Sequence, residues 1–241
     1  MWLDLAKDHR QEPLLEVLEE LIYQGRASLL LPRTIVTEFS RNKARIIEES
    51  GRSLSGALKR AKEIVGAHGR GQGKRRALAQ LDEVDHRLPQ LGEAAIKSIG
   101  RIEKLFARSV CIEVSDAVLV RAAQRAVERK APFHRQRNGI DDAIIIETYS
   151  DFVNDKSSKG VRFGFVTHNI KDFSHPSKDN RFPHPDLAVL FSRIKSLYLI
   201  SLAEALNRIE PALESLSRET WCSALRWAGV VGQERGPLFV T

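Results

Sequence analysis

Three acidic residues stand at positions where a carboxylate is unusual. Glu38 lies at helical spacing among the apolar residues Ile35, Phe39 and Ile46. Asp142 begins the inward face of a predicted helix, whereas its neighbour Asp141 lies about 100° away around the axis. Asp172 follows a short apolar run and closes the segment Thr167-His168-Asn169-Ile170-Lys171-Asp172. A carboxylate on an apolar face costs free energy unless it is paired or binds a cation.

Together, these acids suggest a divalent metal site. Converging carboxylates supply the oxygen ligands that Mg²⁺ and Mn²⁺ prefer. Such ions lower the pKa of a water molecule and neutralise charge on a phosphodiester oxygen. Each acid alone also has an ordinary structural interpretation. Glu38 would be a boundary residue touching a lysine, Asp142 a first-turn acid favoured by the helix dipole, and Asp172 the end of a turn.

The elements that must position these acids alternate along the chain. Short apolar segments predict strands at 28–31, 161–167 and 197–201, and helical patterns lie between them. This alternation predicts an α/β fold whose parallel sheet is covered by helices on both faces. Ligands bind such a sheet at the carboxyl ends of its strands, which is where all three acids are expected. We predict an α/β domain over 1–50 and 109–205, an inserted helical hairpin over 51–108 with a flexible glycine-rich tip, and a helical tail over 206–241.

The amino-acid composition indicates which class of partner the protein binds. The 241 residues include 38 basic and 31 acidic side chains, a net charge of +7 that favours a polyanionic partner. Two cysteines are too few for a disulfide scaffold or a zinc cage. No apolar run approaches the roughly 20 residues of a membrane helix, and the first residues do not resemble a signal peptide. We therefore expect a cytoplasmic protein with no membrane contact.

Two basic segments are candidates for binding the phosphates of a nucleic acid. The first, over 59–76, includes Lys74, Arg75 and Arg76 beside the glycine-rich run. The second, over 121–137, leads directly into the helix of Asp142 and contains Arg121, Arg125, Arg129, Lys130, Arg135 and Arg137. The alternative for both segments is a solvated helix face.

Three motifs, in this order, resemble PIN-domain nucleases. Residues 29–39 (LLLPRTIVTEF) resemble the family's strand, proline and glutamate-bearing helix. The segment Asp142-Ala143-Ile144-Ile145 resembles its Asp-Ala-x-Ile helix start. Residues 165–173 (FVTHNIKDF) resemble the Val-Thr-Arg-Asn-x-Lys-Asp-Phe stretch of VapC-like toxin ribonucleases. The resemblance covers 1–49 and 115–175, and it implies a three-layer, Rossmann-like PIN fold.

The resemblance implies a metal-dependent endoribonuclease that hydrolyses single-stranded RNA with Mg²⁺ or Mn²⁺. Its catalytic carboxylates would be Glu38, Asp142 and Asp172. Asn169 would be a further metal ligand, and which of Asn169 and Asp172 contacts the ion directly stays open. Asp141 and Thr167 would contact the ligating side chains without contacting the ion.

One departure from the family pattern keeps a second interpretation open. The family begins with a strand that ends in a metal-binding aspartate, whereas Met1-Trp2-Leu3-Asp4 resembles the helix that follows this strand. Our hypothesis is that translation starts upstream of Met1. The alternative is a non-catalytic module that binds RNA or a protein partner and has an incomplete metal site. A toxin role with a small antitoxin protein is a further alternative from the resemblance, and the hairpin itself would serve as a lid or as the contact of a homodimer.

Overall fold

The computed structural model describes residues 1–8, 11–86, 88–135, 139–156, 161–177, 179–210 and 236–240. The chain divides into two compact units. The first contains Met1, Pro13–Glu38 and Lys104–Thr241, and the second contains Trp2–Glu12 and Phe39–Glu103. The domain boundaries of the sequence analysis stay a prediction.

The first unit contains a parallel sheet of five strands in the order β2-β1-β5-β3-β4. Leu30 and Leu31 of β1 point to opposite faces of the sheet and are 2% and 0% exposed, so both faces are covered. This confirms the predicted α/β fold. The strands are β1 (Ala27–Pro32), β2 (Val110–Ile112), β3 (Phe163–Val166), β4 (Ser196–Leu199) and β5 (Gly236–Val240).

Helices lie between the strands along the described part of the chain, as the sequence pattern predicts. A side-chain cap begins two of them, because the hydroxyls of Ser115 and Ser201 accept hydrogen bonds from the backbone N–H groups of Val118 and Glu204. The helices are α1 (Trp2–Lys7), α2 (Glu12–Tyr23), α3 (Arg33–His68), α4 (Gly71–His86), α5 (Leu88–Arg108), α6 (Asp116–Val127), α7 (Ile140–Lys156), α8 (Ile170–Phe173) and α9 (Leu202–Ile209).

The central strand β5 corrects the prediction of a helical tail over 206–241. Helix α9 ends at Ile209, residues 211–235 lie outside the described residues, and 236–240 form a strand. This strand pairs with β1 from Ala27 to Leu30 and with β3 from Gly164 to Val166. Local patterns could not predict it, since its partners are distant in the chain and Pro237 argues against a central strand.

The second unit is helical, and a tight turn joins α3 to α4 within the glycine-rich segment, whose predicted flexibility stays a prediction. Only Gly69 and Arg70 separate α3 from α4. A Cβ atom on Gly69 would lie 2.5 Å from the carbonyl oxygen of Val65, and Gly71 has a φ of 58°. The Nζ of Lys62 on α3 bonds Asp82 and Asp85 of α4 at 2.8 and 2.5 Å. In the part of the chain described, no helix is long and apolar enough to span a membrane.

Candidate metal centre and nucleic-acid interface

The residues predicted for the metal site lie at the carboxyl edge of the sheet in the first unit. Strand β1 ends at Pro32 and leads into α3, which carries Glu38 in its second turn. Strand β3 ends at Val166 and leads through Thr167 towards Asn169. Helix α7 connects to the opposite end of β3, so its first turn, with Asp142, lies at this same edge.

A hydrogen bond joins two of these residues directly. The side-chain amide of Asn169 donates to Oδ2 of Asp142 at 3.0 Å. The backbone N–H of Asn169 donates to the hydroxyl of Thr167 at 3.1 Å, and the Thr167 side chain is fully buried. Asn169 precedes α8 without capping it through its side chain. The local turn therefore directs the amide towards the carboxylate instead.

The surroundings of Asp142 raise the pKa of its carboxyl from 3.8 to about 7. Burial is the largest cause, because it disfavours the charged form, and the negative charge of Asp172 adds to it. The hydrogen bond from Asn169 opposes the rise, whereas the charges of Glu38 and Asp141 increase it further. The three other acids are thus close enough to Asp142 to repel its charged form. A cation at this edge would relieve that repulsion.

Asp172 contributes an oxygen atom with unused hydrogen-bonding capacity. It lies on the short helix α8, one residue before the fully buried Phe173. Its Oδ1 is buried and has no hydrogen-bond partner among the described residues. A buried, unpaired carboxylate oxygen requires a compensating group such as a water molecule or an ion.

Glu38 and Asp141 are more exposed than the other acids. Glu38 is exposed at the edge of the apolar stripe of α3, whereas Ile35 and Phe39 beside it are 4% and 2% exposed. This corrects the expectation that Glu38 lies on the stripe itself, and helical spacing alone could not separate the two positions. Asp141 is exposed, as its angular distance from Asp142 predicts.

The residues present fit a hard divalent cation. The side chains at this edge offer oxygen atoms from carboxylates and an amide, which suit Mg²⁺ or Mn²⁺. In the described ranges, no group of three or more His, Cys, Asp or Glu side chains is assembled into a metal-binding cluster. An ion such as Mg²⁺ binds through one or two carboxylates and keeps several waters, so a closed protein cage is not required.

The second basic segment contributes fewer free cations than its sequence indicates. The Nε atoms of Arg121 and Arg125 on α6 donate to the two carboxylate oxygens of Glu147 on α7. Arg121 also pairs with Asp151. Glu147 is 6% exposed, and the sequence analysis did not single it out. Its position four residues after the buried Ala143 was the available signal, because that spacing places it on the inward face of α7.

Of the remaining cations in this segment, Arg135 lies on an element that contacts the helix of Asp172. It is exposed and ends a 3-10 helix (Phe133–Arg135) that contacts α8, the helix of Asp172. Lys130 is exposed and pairs with Glu128, an arrangement that contributes little to stability. Arg137 lies outside the described residues.

The first basic segment belongs to the second unit. Arg75 and Arg76 are exposed on the first turns of α4. Lys74 is half-buried, and its Nζ donates to the backbone carbonyl of Gly66 at 2.5 Å. This contact satisfies a carbonyl near the end of α3, so Lys74 already has a structural role in the turn.

A comparison with protein-family models gives one match, to a model described as PIN domain, over residues 1–173. Domains of this family are generally of nuclease type, use divalent metals and bind nucleic acids. No curated protein matches the chain, and no solved structure matches it either.

Proposed function

Because the family match covers most of the chain, the chain belongs to the PIN domain family, and we propose that it is a metal-dependent endoribonuclease acting on single-stranded RNA. The observation that carries this proposal is the raised pKa of Asp142, whose carboxyl is half-buried among other acids at the carboxyl edge of the sheet. Catalytic sites commonly contain such perturbed groups.

In this proposal the acids hold Mg²⁺ or Mn²⁺. When bound, the ion would lower the pKa of a water molecule and neutralise charge on the phosphodiester. Asp142, Asp172 and Glu38 would hold the ion through their carboxylate oxygens. Asn169 fixes the carboxylate of Asp142 through its amide. The reaction adds water to phosphorus and breaks one phosphorus–oxygen ester bond.

The substrate strand would follow the basic residues near this edge. Arg135 is the first candidate for a phosphate contact, since its 3-10 helix contacts α8. Lys130 and Arg137 flank it in the sequence. Lys74, Arg75 and Arg76 are proposed as a second contact region on the helical unit. A homodimer and a small antitoxin protein stay candidate partners, with support only from the resemblance to toxin ribonucleases.

The decisive experiment is cleavage of labelled single-stranded RNA in Mn²⁺. We expect cleavage by the chain, its loss with a chelator, and a decrease of at least about 100-fold in Asp142→Asn. The matched control is Asp151→Asn, which changes the same charge near the other end of α7 and should cleave normally. Full activity of Asp142→Asn would remove Asp142 from the mechanism. A chain extended upstream tests whether further residues increase cleavage.

A second candidate function is a non-catalytic module that binds RNA. The observation that favours it is the sequence of the central strand, Gly236-Pro237-Leu238-Phe239-Val240, which brings no acidic side chain to the middle of the sheet. RNA binding that becomes tighter with Mg²⁺, without cleavage by either the chain or its extended form, would support this function over the nuclease.

A further inference from the structure

Two side chains form hydrogen bonds with the backbone of Ala131, where a loop follows α6 in the second basic segment. Ala131 is fully buried. Its N–H donates to Oδ2 of Asp186 at 2.9 Å, and its carbonyl accepts from Nη1 of Arg125 at 3.1 Å. Buried backbone groups need such partners, and here one comes from the end of α6 and the other from a side chain 55 residues away in the sequence. The two contacts fix where the loop leaves α6.

Both side chains that hold Ala131 are themselves anchored. Arg125 is bound to the buried Glu147 of α7. Asp186 lies in the first turn of a 3-10 helix (Pro185–Leu190), and its N–H donates to Nδ1 of the N-cap residue His184 at 3.2 Å. The His184 ring contacts that of His134 in the loop, with centroids 4.5 Å apart. The loop is thus fixed at Ala131 and again at His134.

The residue after this second contact is Arg135. Its guanidinium is exposed, and its 3-10 helix contacts the helix of Asp172. A cation on an element that contacts the helix of Asp172 is placed to bind a phosphate of a strand that reaches this edge of the sheet. Preorganisation lowers the entropy cost of such a contact.

We propose that Asp186 is a positioning residue, which through Ala131 holds Arg135 where it contacts a phosphate of single-stranded RNA. This inference rests on the proposed function for its substrate. Asp186 itself touches neither the substrate nor the metal. The N–H of Ala131 needs a hydrogen-bond acceptor from residue 186 and does not need a negative charge there. The positioning role can therefore be tested with a neutral side chain that keeps an acceptor.

The test compares Asp186→Ala with Asp186→Asn, which keeps an acceptor oxygen. Binding of a fluorescent single-stranded RNA is measured by anisotropy over a series of salt concentrations, together with kcat and KM in Mn²⁺. For Asp186→Ala we expect about tenfold weaker binding, a salt slope lower by about one phosphate contact, a higher KM and a kcat within about twofold. Asp186→Asn should stay close to the parent protein.

Two further variants separate positioning from general damage. Arg135→Gln should reproduce the loss in Asp186→Ala, and the double variant should bind no more weakly than either single variant, because both act through one contact. Asp179→Ala, which removes an exposed acid paired with Arg181, controls for the change in net charge. Thermal unfolding confirms that each variant is folded.

The outcomes distinguish this inference from the proposed nuclease. An unchanged salt slope in Asp186→Ala, equal losses in the Ala and Asn variants, or additive losses in the double variant would each overturn the positioning role. If no variant cleaves RNA but the binding pattern holds, the inference stands for an RNA-binding module and the nuclease proposal fails. If the parent chain binds no RNA, both are wrong.

Discussion

Asp142 is under electrostatic stress that its own helix cannot relieve. The first turn of α7 favours an acid through the helix dipole, yet burial and the neighbouring acids raise the pKa of this carboxyl to about 7. In metal-free protein the charged form therefore destabilises the fold. The same arrangement of negative charges favours a bound cation. The metal-free fold is therefore less stable because of the residues that would bind the cation.

The first prediction concerns the stability of Asp142→Asn in chelator. A carboxyl whose pKa is raised from 3.8 to about 7 on folding costs nothing below pH 4 and increasingly destabilises the fold up to about pH 7. We expect Asp142→Asn to raise the free energy of unfolding by about 1–3 kcal/mol at pH 8 and to change it little at pH 4. Urea unfolding at both pH values measures this. A variant less stable than the parent at pH 8 would contradict it.

The second prediction concerns Glu147, the buried partner of Arg121 and Arg125. Glu147→Ala leaves Arg125, whose side chain is 13% exposed, without its buried counter-charge. We expect a loss of about 3 kcal/mol in urea unfolding. Asp151→Asn removes the more exposed partner of Arg121 and should cost less than about 1 kcal/mol. Equal losses in the two variants would show that burial does not decide the cost.

Sequence patterns predicted the burial or exposure of individual side chains well where the signal was local. The first turn of α7 distinguished Asp142 from Asp141 because helical geometry separates adjacent side chains. Glu38 was harder, since the edge of an apolar stripe and its centre share the same spacing. Glu147 and Asp186 were not predicted as contact residues. Their partners lie on other elements, and no pattern within one segment contains that information.

At the scale of elements, helices and strands with continuous apolar signals were predictable. Strand β1 differs from its predicted bounds, 28–31, by one residue at each end. The short strand β2 was missed, since three residues carry little periodicity. In the glycine-rich segment between α3 and α4, the glycines permit a close turn between two long helices, a geometry that composition alone does not specify.

The third prediction compares two glycines of this hairpin. Gly69→Ala would bring a Cβ atom to 2.5 Å from the Val65 carbonyl oxygen, so the turn must shift, and we expect a loss of about 1–3 kcal/mol. Gly73 lies in α4 with nothing within 4 Å of a Cβ position, so Gly73→Ala should stabilise the helix by up to about 1 kcal/mol. Thermal unfolding of both variants should give opposite signs, and a shared sign would contradict the turn geometry.

At the scale of the whole molecule, β5 joins two halves of the sheet. On one side it pairs with β1, and on the other with β3. Gly164 of β3 makes room for it, because a Cβ atom there would lie 3.1 Å from Cδ2 of Leu238. The reason for this glycine is therefore found about 70 residues later in the chain. Long-range pairing of this kind was the part of the fold that sequence reasoning could not supply.

The fourth prediction tests this pairing with a double-mutant cycle. Gly164→Val should destabilise the protein by about 2 kcal/mol because its side chain collides with Leu238, and Leu238→Ala by about 2–4 kcal/mol because it leaves a cavity. The double variant should recover at least about 1 kcal/mol of the summed loss, measured by urea unfolding. Strict additivity would mean that the two residues are not neighbours.

The central position of β5 also sets when the protein can finish folding. Ala27 pairs with Gly236, on the order of two hundred residues later, and a ribosome needs roughly 10–40 seconds to synthesise that length. Until then the facing edges of β1 and β3 lack their common partner, and a nascent chain needs protection from aggregation. The carboxyl edge of the sheet, where the acids lie, therefore lacks its central strand until residues 236–240 have been synthesised.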